Sequence, residues 1–168
     1  TKVMVLSVRI TERFRPYEEV LRYRTGARCD LDWSSSGLSA RYGPSDKPAW
    51  KIRGRLEGLL CRSLAGLAYL EGGRKTDWFS AYLRGTIFIV DNWDDRIYSY
   101  ERDAPGNFTV PAYYGRGWSL SAVSGCKLRL GRGRALKLYF RASTMAYSFM
   151  KEPKPSVSEA KAQAVVMF

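Results

Sequence analysis

The residues of this chain whose types and spacing could do chemistry are four carboxylates in one short stretch. Asp94, Asp95, Glu101 and Asp103 could gather around a cation or work as paired acid and base. Their spacing supports neither role, and acidic residues in tyrosine-rich loops are more often structural. The chain has no histidine, which excludes Ser-His-Asp, Cys-His and histidine–metal sites. We therefore predict a protein that is not an enzyme and that uses no cofactor and no metal.

The cysteines give no further chemistry. Cys29, Cys61 and Cys126 are odd in number, far apart in sequence and without CxxC spacing, so they predict neither a disulfide framework nor a metal site. We expect all three on the apolar face of the protein, where thiols behave as small hydrophobic groups.

The net charge of +12 at pH 7 requires an anionic partner. Nucleic acid and lipid A phosphates are the two candidates. A hydrophobic content of 45% and an aromatic content of 14% indicate that the chain folds rather than being intrinsically disordered. No apolar run approaches the roughly 18 residues that a transmembrane helix needs.

The elements that must position these residues are β-strands, because apolar and polar residues alternate along most of the chain. In each strand one face is apolar, and the other is rich in arginine and tyrosine. The predicted turns and links are residues 14–17, 34–37, 43–48, 131–133 and 151–155. The predicted strands are residues 1–13, 18–33, 38–42, 50–60, 64–74, 78–90, 118–130, 135–147 and 156–168.

The C-terminal stretch allows a second interpretation. Residues 156–159 fit a helix capping box, and the alanine-rich run after them would continue a helix. The apolar residues do not fall at i, i+3 and i+4, however. They alternate, so we predict a strand with Ala160, Ala162, Ala164, Val166 and Phe168 on one face.

Two kinds of barrel share this alternation. Membrane strands of about 9–11 residues turn their apolar side outward, whereas soluble antiparallel barrels turn it inward. The arginine-rich polar face favours the membrane form. Since unpaired buried charge is prohibitively costly, the interior must be wet, hold anions or belong to a larger barrel. We predict an all-β fold over residues 1–168: an antiparallel transmembrane β-barrel of eight or nine strands, or the C-terminal part of a larger one.

Residues 91–117 are rich in tyrosine and too long for a turn, and long loops often carry function. The simpler interpretation is an extracellular loop that packs its own tyrosines. The motif in this stretch is similar to one in outer-membrane proteins of Bacteroidota, which carry a helix-hairpin-helix region followed by a C-terminal β-barrel. The matching residues are Asp95, Arg96, Ile97, Tyr98, Tyr100, Glu101, Asp103, Phe108, Pro111, Ala112, Tyr113, Tyr114, Gly115 and Gly117.

This resemblance covers roughly residues 50–168 and implies a barrel in the bacterial outer membrane. No glycine-rich helix-hairpin-helix segment is present, so no nucleic acid is expected as a partner of this segment. The closing strand pair also resembles the last hairpin of outer-membrane barrels. In those proteins the final strand is the signal read by the insertion machinery, which implies that role for Ala164, Val166 and Phe168.

The function expected from these features is a non-enzymatic integral outer-membrane β-barrel. It would be a structural or partner-binding component of an envelope assembly or uptake system, in contact with lipid and with other envelope proteins. Cations on the long-loop side would bind lipopolysaccharide phosphates, and these are Arg62, Arg96, Arg102, Arg116, Lys151 and Lys154. The alternative is a soluble basic β-barrel that binds single-stranded nucleic acid with its arginines and tyrosines.

Overall fold

The computed structural model describes residues 2–15, 22–35, 49–60, 63–131, 134–148 and 154–167. Side chains are described for residues 27–31, 50–60, 63–131, 134–148 and 155–167. The predicted strand at 38–42 and the link at 43–48 lie outside the described residues.

Eight long strands form one antiparallel sheet in the order β1-β2-β3-β4-β5-β8-β9-β10. Two short strands, β6 and β7, lie between β5 and β8 in the chain and pair with each other. The strands are β1 (Lys2–Arg15), β2 (Arg22–Ser35), β3 (Ala49–Leu60), β4 (Leu64–Lys75), β5 (Phe79–Val90), β6 (Ile97–Tyr98), β7 (Ala112–Tyr113), β8 (Gly115–Gly131), β9 (Arg134–Tyr147) and β10 (Lys154–Met167).

The predicted all-β, antiparallel architecture is confirmed. The C-terminal stretch is strand β10, which pairs with β9, so the helix interpretation of residues 156–159 is wrong. Several residues predicted as turn or loop belong to strands, because they continue the cross-strand register beyond the apolar alternation. These are Phe14 and Arg15 in β1, Ser34 and Ser35 in β2, Lys154 and Pro155 in β10, and Gly115 and Gly117 in β8.

The two faces of the sheet differ in exposure in the opposite sense to a soluble barrel. On β5 the apolar Leu83, Ile87 and Ile89 are exposed, whereas Arg84 and Thr86 are buried. Trp118 and Leu120 on β8 are likewise exposed, and Ser119 and Ser121, which alternate with them, are buried. The polar face is buried because the chain between β5 and β8 lies across it. We term residues 91–114 the β5–β8 segment.

The two ends of the sheet also differ. We call the two ends of the strands rims. The loop rim is the end that holds Ser63 and the start of the β5–β8 segment, and the turn rim is the end that holds residues 76–78 and the link from β8 to β9. A small hydrophobic core lies on the otherwise polar face near the loop rim. Its members are Leu59, Ala65, Leu67, Tyr69, Phe88, Val90, Ile97 and Tyr113.

The sheet begins at β1 and ends at β10, and no pairing between these two strands is present among the described residues. Closure into a barrel therefore stays a prediction. In the described parts of the chain, no helix has the length and apolar character needed to cross a membrane.

Candidate functional site

The β5–β8 segment is a hairpin that packs on the polar face, not a loop that packs only its own tyrosines. The backbone N–H of Glu101 donates to the carbonyl of Thr109 at 2.9 Å, and that of Ser99 donates to Pro111 at 3.3 Å. The tip is residues 104–107, closed by a hydrogen bond of 3.0 Å from the Asn107 N–H to the Ala104 carbonyl. Gly106 has φ 87° after Pro105, which is the pattern of a type II turn.

The segment begins at a fixed position on the loop rim. Asp95 is fully buried, and its Oδ2 accepts hydrogen bonds from the Ser63 N–H at 3.0 Å and the Ser63 hydroxyl at 2.8 Å. The Asn92 amide donates to the same hydroxyl at 2.9 Å. Arg96 stacks 4.8 Å from the Trp93 ring centroid. These contacts join the first turn of the segment to the connection between β3 and β4.

The middle of the segment is held by Arg84 of β5. Its guanidinium donates to the Tyr100 carbonyl at 2.6 Å and to the Ser99 hydroxyl at 2.7 Å. The same group lies 3.6 Å from the ring centroid of Tyr69 on β4. A buried guanidinium whose N–H donors lack partners is energetically costly. Breaking these contacts would therefore be unfavourable, and they fix the segment against the centre of the sheet.

A buried ion pair joins the segment to β9. Arg141 donates to Glu101 at 2.6 Å, and the exposed fraction of each side chain is 3%. The second terminal nitrogen of Arg141 donates to Glu159 of β10 at 2.9 Å. Glu101 also accepts the Tyr113 hydroxyl. Burial, together with the Glu101 carboxylate, raises the pKa of Tyr113 to about 12, so Tyr113 stays a neutral donor at physiological pH.

The tip of the segment reaches toward the turn rim. Arg102 donates to Glu71 of β4, and its guanidinium lies 4.1 Å from the Tyr82 ring centroid. Gln163 of β10 donates to the Pro105 carbonyl at 3.2 Å. The segment therefore contacts the polar face from β4 across to β10.

Asp103 is the last carboxylate before the tip. It accepts the Thr109 hydroxyl and the Ala104 N–H, and it lies 3.7 Å from the Lys161 ammonium group. Burial alone would raise the pKa of Asp103, but the two hydrogen bonds and the positive charges of Lys161 and Arg141 together lower it below the usual value of an aspartate. The carboxylate is therefore held in its charged form.

This geometry contradicts a shared cation or acid–base site. Asp95 binds Ser63 at the loop rim, whereas Glu101 and Asp103 bind Arg141 and Lys161, which are opposite each other on β9 and β10. Asp94 is only half-buried and has its own contact. No group of three potential ligands exists among the described residues. Instead, Glu101 neutralises Arg141, Asp103 faces Lys161, and Asp95 accepts hydrogen bonds from Ser63, so these carboxylates offset part of the positive charge on the strands.

The residues that carry the family resemblance have mainly structural positions. Ile97 and Tyr113 are in the core. Gly115 has φ 89°, and a Cβ at Gly117 would overlap the backbone oxygen of Ala146. Tyr98, Tyr100 and Phe108 are exposed, with Tyr100 and Phe108 in ring contact at 5.3 Å, and Tyr114 packs edge-on against Trp93.

Of the six predicted lipopolysaccharide-binding cations, the three whose side chains are described all have contacts within the chain. We predicted Arg102 at the rim, but its guanidinium pairs with Glu71 on the polar face. Arg96 contacts Trp93 and Tyr98. Arg116 pairs with Asp91 at 2.6 Å, and this exposed contact lowers the pKa of Asp91. Arg62 and Lys151 lie outside the described residues, as does the side chain of Lys154.

The remaining predicted residues fall on the apolar face or outside the described chain. Ala164 and Val166 are exposed on β10, and Phe168 is not described. Cys29 and Cys126 are free and partly buried, and Cys126 lies on the apolar face beside Leu138. Cys61 lies outside the described residues.

Comparison of the chain with protein-family models, with functionally characterised proteins and with solved structures finds no match. The resemblance to the barrels of Bacteroidota therefore stays a prediction.

Proposed function

We propose that this chain forms part of the wall of a non-enzymatic outer-membrane β-barrel. The observation that carries the proposal is the reversed exposure of the sheet: leucine, isoleucine and tryptophan side chains cover one face, and the β5–β8 segment covers the charged face, where Arg141 pairs with Glu101. Exposed apolar patches of more than a few hundred Å² are rare on soluble monomers. An apolar exterior around a polar interior is the arrangement of membrane barrels.

The barrel contains more strands than the eight of this sheet. An eight-stranded barrel has an interior just wide enough for side chains, and here the polar face carries a whole hairpin as well. The edges of β1 and β10 must also be paired, because lipid cannot satisfy an open backbone edge. Further strands, from a longer chain or from a second copy, meet both requirements.

The role that fits this arrangement is a structural or partner-binding component of an envelope assembly or uptake system. The buried carboxylates are committed to arginines and hydroxyl groups, so they are poor candidates for acid–base chemistry. Recognition of β10 by insertion machinery, through Ala164, Val166 and Phe168, belongs to the same proposal.

The rival function, a soluble domain that binds single-stranded nucleic acid, needs accessible arginine and tyrosine on the polar face. In the described part of that face, Arg84, Arg141 and Tyr113 are buried beneath or within the β5–β8 segment. Their burial favours the membrane role over the nucleic-acid role.

Refolding tests the proposal. The protein is transferred from urea into phospholipid vesicles, into detergent micelles and into plain buffer, and unheated and boiled samples are compared by gel electrophoresis. We expect β-structure and a mobility shift on heating only with lipid or detergent. A folded, monomeric protein in plain buffer that binds single strands in a salt-dependent way would replace this proposal with its rival.

A further inference from the structure

The carboxylates that pair with cations of the polar face are distributed unevenly along the strands. The tip of the β5–β8 segment contacts Gln163, which pairs with Tyr139 of β9. Lys137 is one inward-facing position further toward the turn rim, directly opposite Lys127 of β8. Two like charges in direct cross-strand register are unfavourable unless an anion lies between or near them.

Among the described side chains of the turn rim, cations outnumber carboxylates, although Asp77 lies on this rim and has a contact of its own. Among the described side chains, no carboxylate forms an ion pair with any of six such cations. These are Lys51, Arg74, Lys75, Lys127, Arg129 and Lys137. The loop rim differs, because Arg116 there is paired with Asp91.

On the outward face of the same rim, a cation sits among exposed aromatic rings. The Arg74 guanidinium lies 5.4 Å from the ring centroid of Trp50. Trp78 is 62% exposed and contacts Phe79 at 5.6 Å between centroids. Tryptophan and basic residues together are typical of the membrane–water interface, where the basic groups attract anionic headgroups.

An apolar groove that includes Arg74 crosses the outward face from β3 through β4, β5 and β8 to β9. Its volume is about 580 Å³, within the roughly 300–1,000 Å³ of pockets that hold small ligands. Its lining combines small residues with larger apolar side chains. The small residues include Gly72, Ala81 and Ala122, and the larger ones include Ile52, Leu83 and Phe140.

We propose that the turn rim binds an anionic glycerophospholipid, with its phosphate on Arg74 and one acyl chain in this groove. The inward lysines extend the positive field that attracts the headgroup. This inference rests on the proposed membrane location and assigns the anionic-lipid contact to the turn rim, opposite the rim where the sequence predicted lipopolysaccharide contacts.

Lipid retention tests the inference. The folded protein is released from vesicles of equal parts phosphatidylglycerol and phosphatidylcholine with identical acyl chains, and bound lipids are counted by native mass spectrometry. We expect several-fold preference for phosphatidylglycerol in the wild type. Arg74→Gln should bring the ratio close to one, and Arg74→Lys should restore part of it. Arg116→Gln, at the loop rim, should keep the wild-type ratio.

A second pair of measurements separates the two halves of the site. Ala122→Phe fills the groove and should lower retention of both lipids, whereas inorganic phosphate at millimolar concentration should not displace phosphatidylglycerol. Displacement by phosphate, or loss of preference in Arg116→Gln but not in Arg74→Gln, would overturn the inference. Heat-modifiable folding without any lipid preference would also overturn it while leaving the proposed barrel intact. Failure to fold with lipid would instead count against the barrel.

Discussion

The pair formed by Arg141 and Glu101 links β9 to the β5–β8 segment through two side chains that are each 3% exposed. Removing one partner of a buried pair leaves an uncompensated charge, which costs roughly 3–5 kcal/mol. Because Arg141 keeps Glu159 as a second partner, we expect Glu101→Gln to lower the free energy of unfolding by about 3 kcal/mol. Guanidinium denaturation in detergent micelles, followed by tryptophan fluorescence, measures this change.

The matched control is Asp91→Asn, which removes a carboxylate from the exposed pair with Arg116. Exposed ion pairs contribute little to stability, so its denaturation midpoint should equal that of the wild type. Equal midpoints for Glu101→Gln and Asp91→Asn would show that the buried pair does not anchor the segment.

Asp103 gives the tip of the segment a pH dependence. Its pKa in the folded protein is lower than in the unfolded chain, so its contribution to stability is complete above the unfolded pKa and is lost as the pH falls through the folded pKa. Hydrogen exchange at the Asn107 amide, which closes the tip turn, should become faster relative to its intrinsic rate below about pH 4. Asp103→Asn should flatten this curve, and identical curves for both proteins would contradict the role of Asp103.

Residue types predicted the face on which each side chain lies but not its partner. Alternation assigned Arg141 to the polar face and Leu138 to the apolar face, as the structure has them. The Glu101–Arg141 contact joins residues 40 positions apart, and no local spacing indicates such a contact. The carboxylates of the segment therefore resembled a cluster in sequence although they bind different strands.

At the scale of elements, the strands were predictable because period-two alternation persists over most of their length. Their ends were less predictable, since cross-strand pairing extends into residues such as Phe14 and Ser34 that lack the pattern. The hairpin of the β5–β8 segment was missed because its paired strands are only two residues each. Pro105 followed by Gly106 was the signal that could have revealed its turn.

Close packing of β8 against β9 depends on Gly117. A Cβ at this position would overlap the backbone oxygen of Ala146, so the two strands would have to move apart. We expect Gly117→Ala to cost about 1–3 kcal/mol of unfolding free energy, as overpacking typically does. Gly85→Ala is the control, because nothing lies within 4 Å of its Cβ position. The same denaturation assay applies, and equal stability of the two variants would exclude this packing requirement.

At the scale of the whole molecule, the reversed faces of the sheet were predictable and the content of the interior was not. Counting charges on the strands alone gave an excess of cations and suggested water or anions inside. The β5–β8 segment supplies part of the missing negative charge on the described polar face, through Glu101 beside Arg141 and Asp103 beside Lys161. The strand number of the proposed barrel does not follow from alternation, because periodicity assigns faces to strands without specifying what pairs with the outer strands.

The most direct test of this account measures which face meets lipid. Single cysteines carrying nitroxide labels are placed at Ile87 and Leu120 on the apolar face and at Ser119 and Ser121 on the polar face, in a variant without Cys29, Cys61 and Cys126. Collision rates with oxygen, which concentrates in hydrocarbon, and with a water-soluble nickel chelate are measured in vesicles. We predict high oxygen and low nickel accessibility at Ile87 and Leu120, and low accessibility to both at Ser119 and Ser121. Greater nickel than oxygen accessibility at Ile87 and Leu120 would contradict the account.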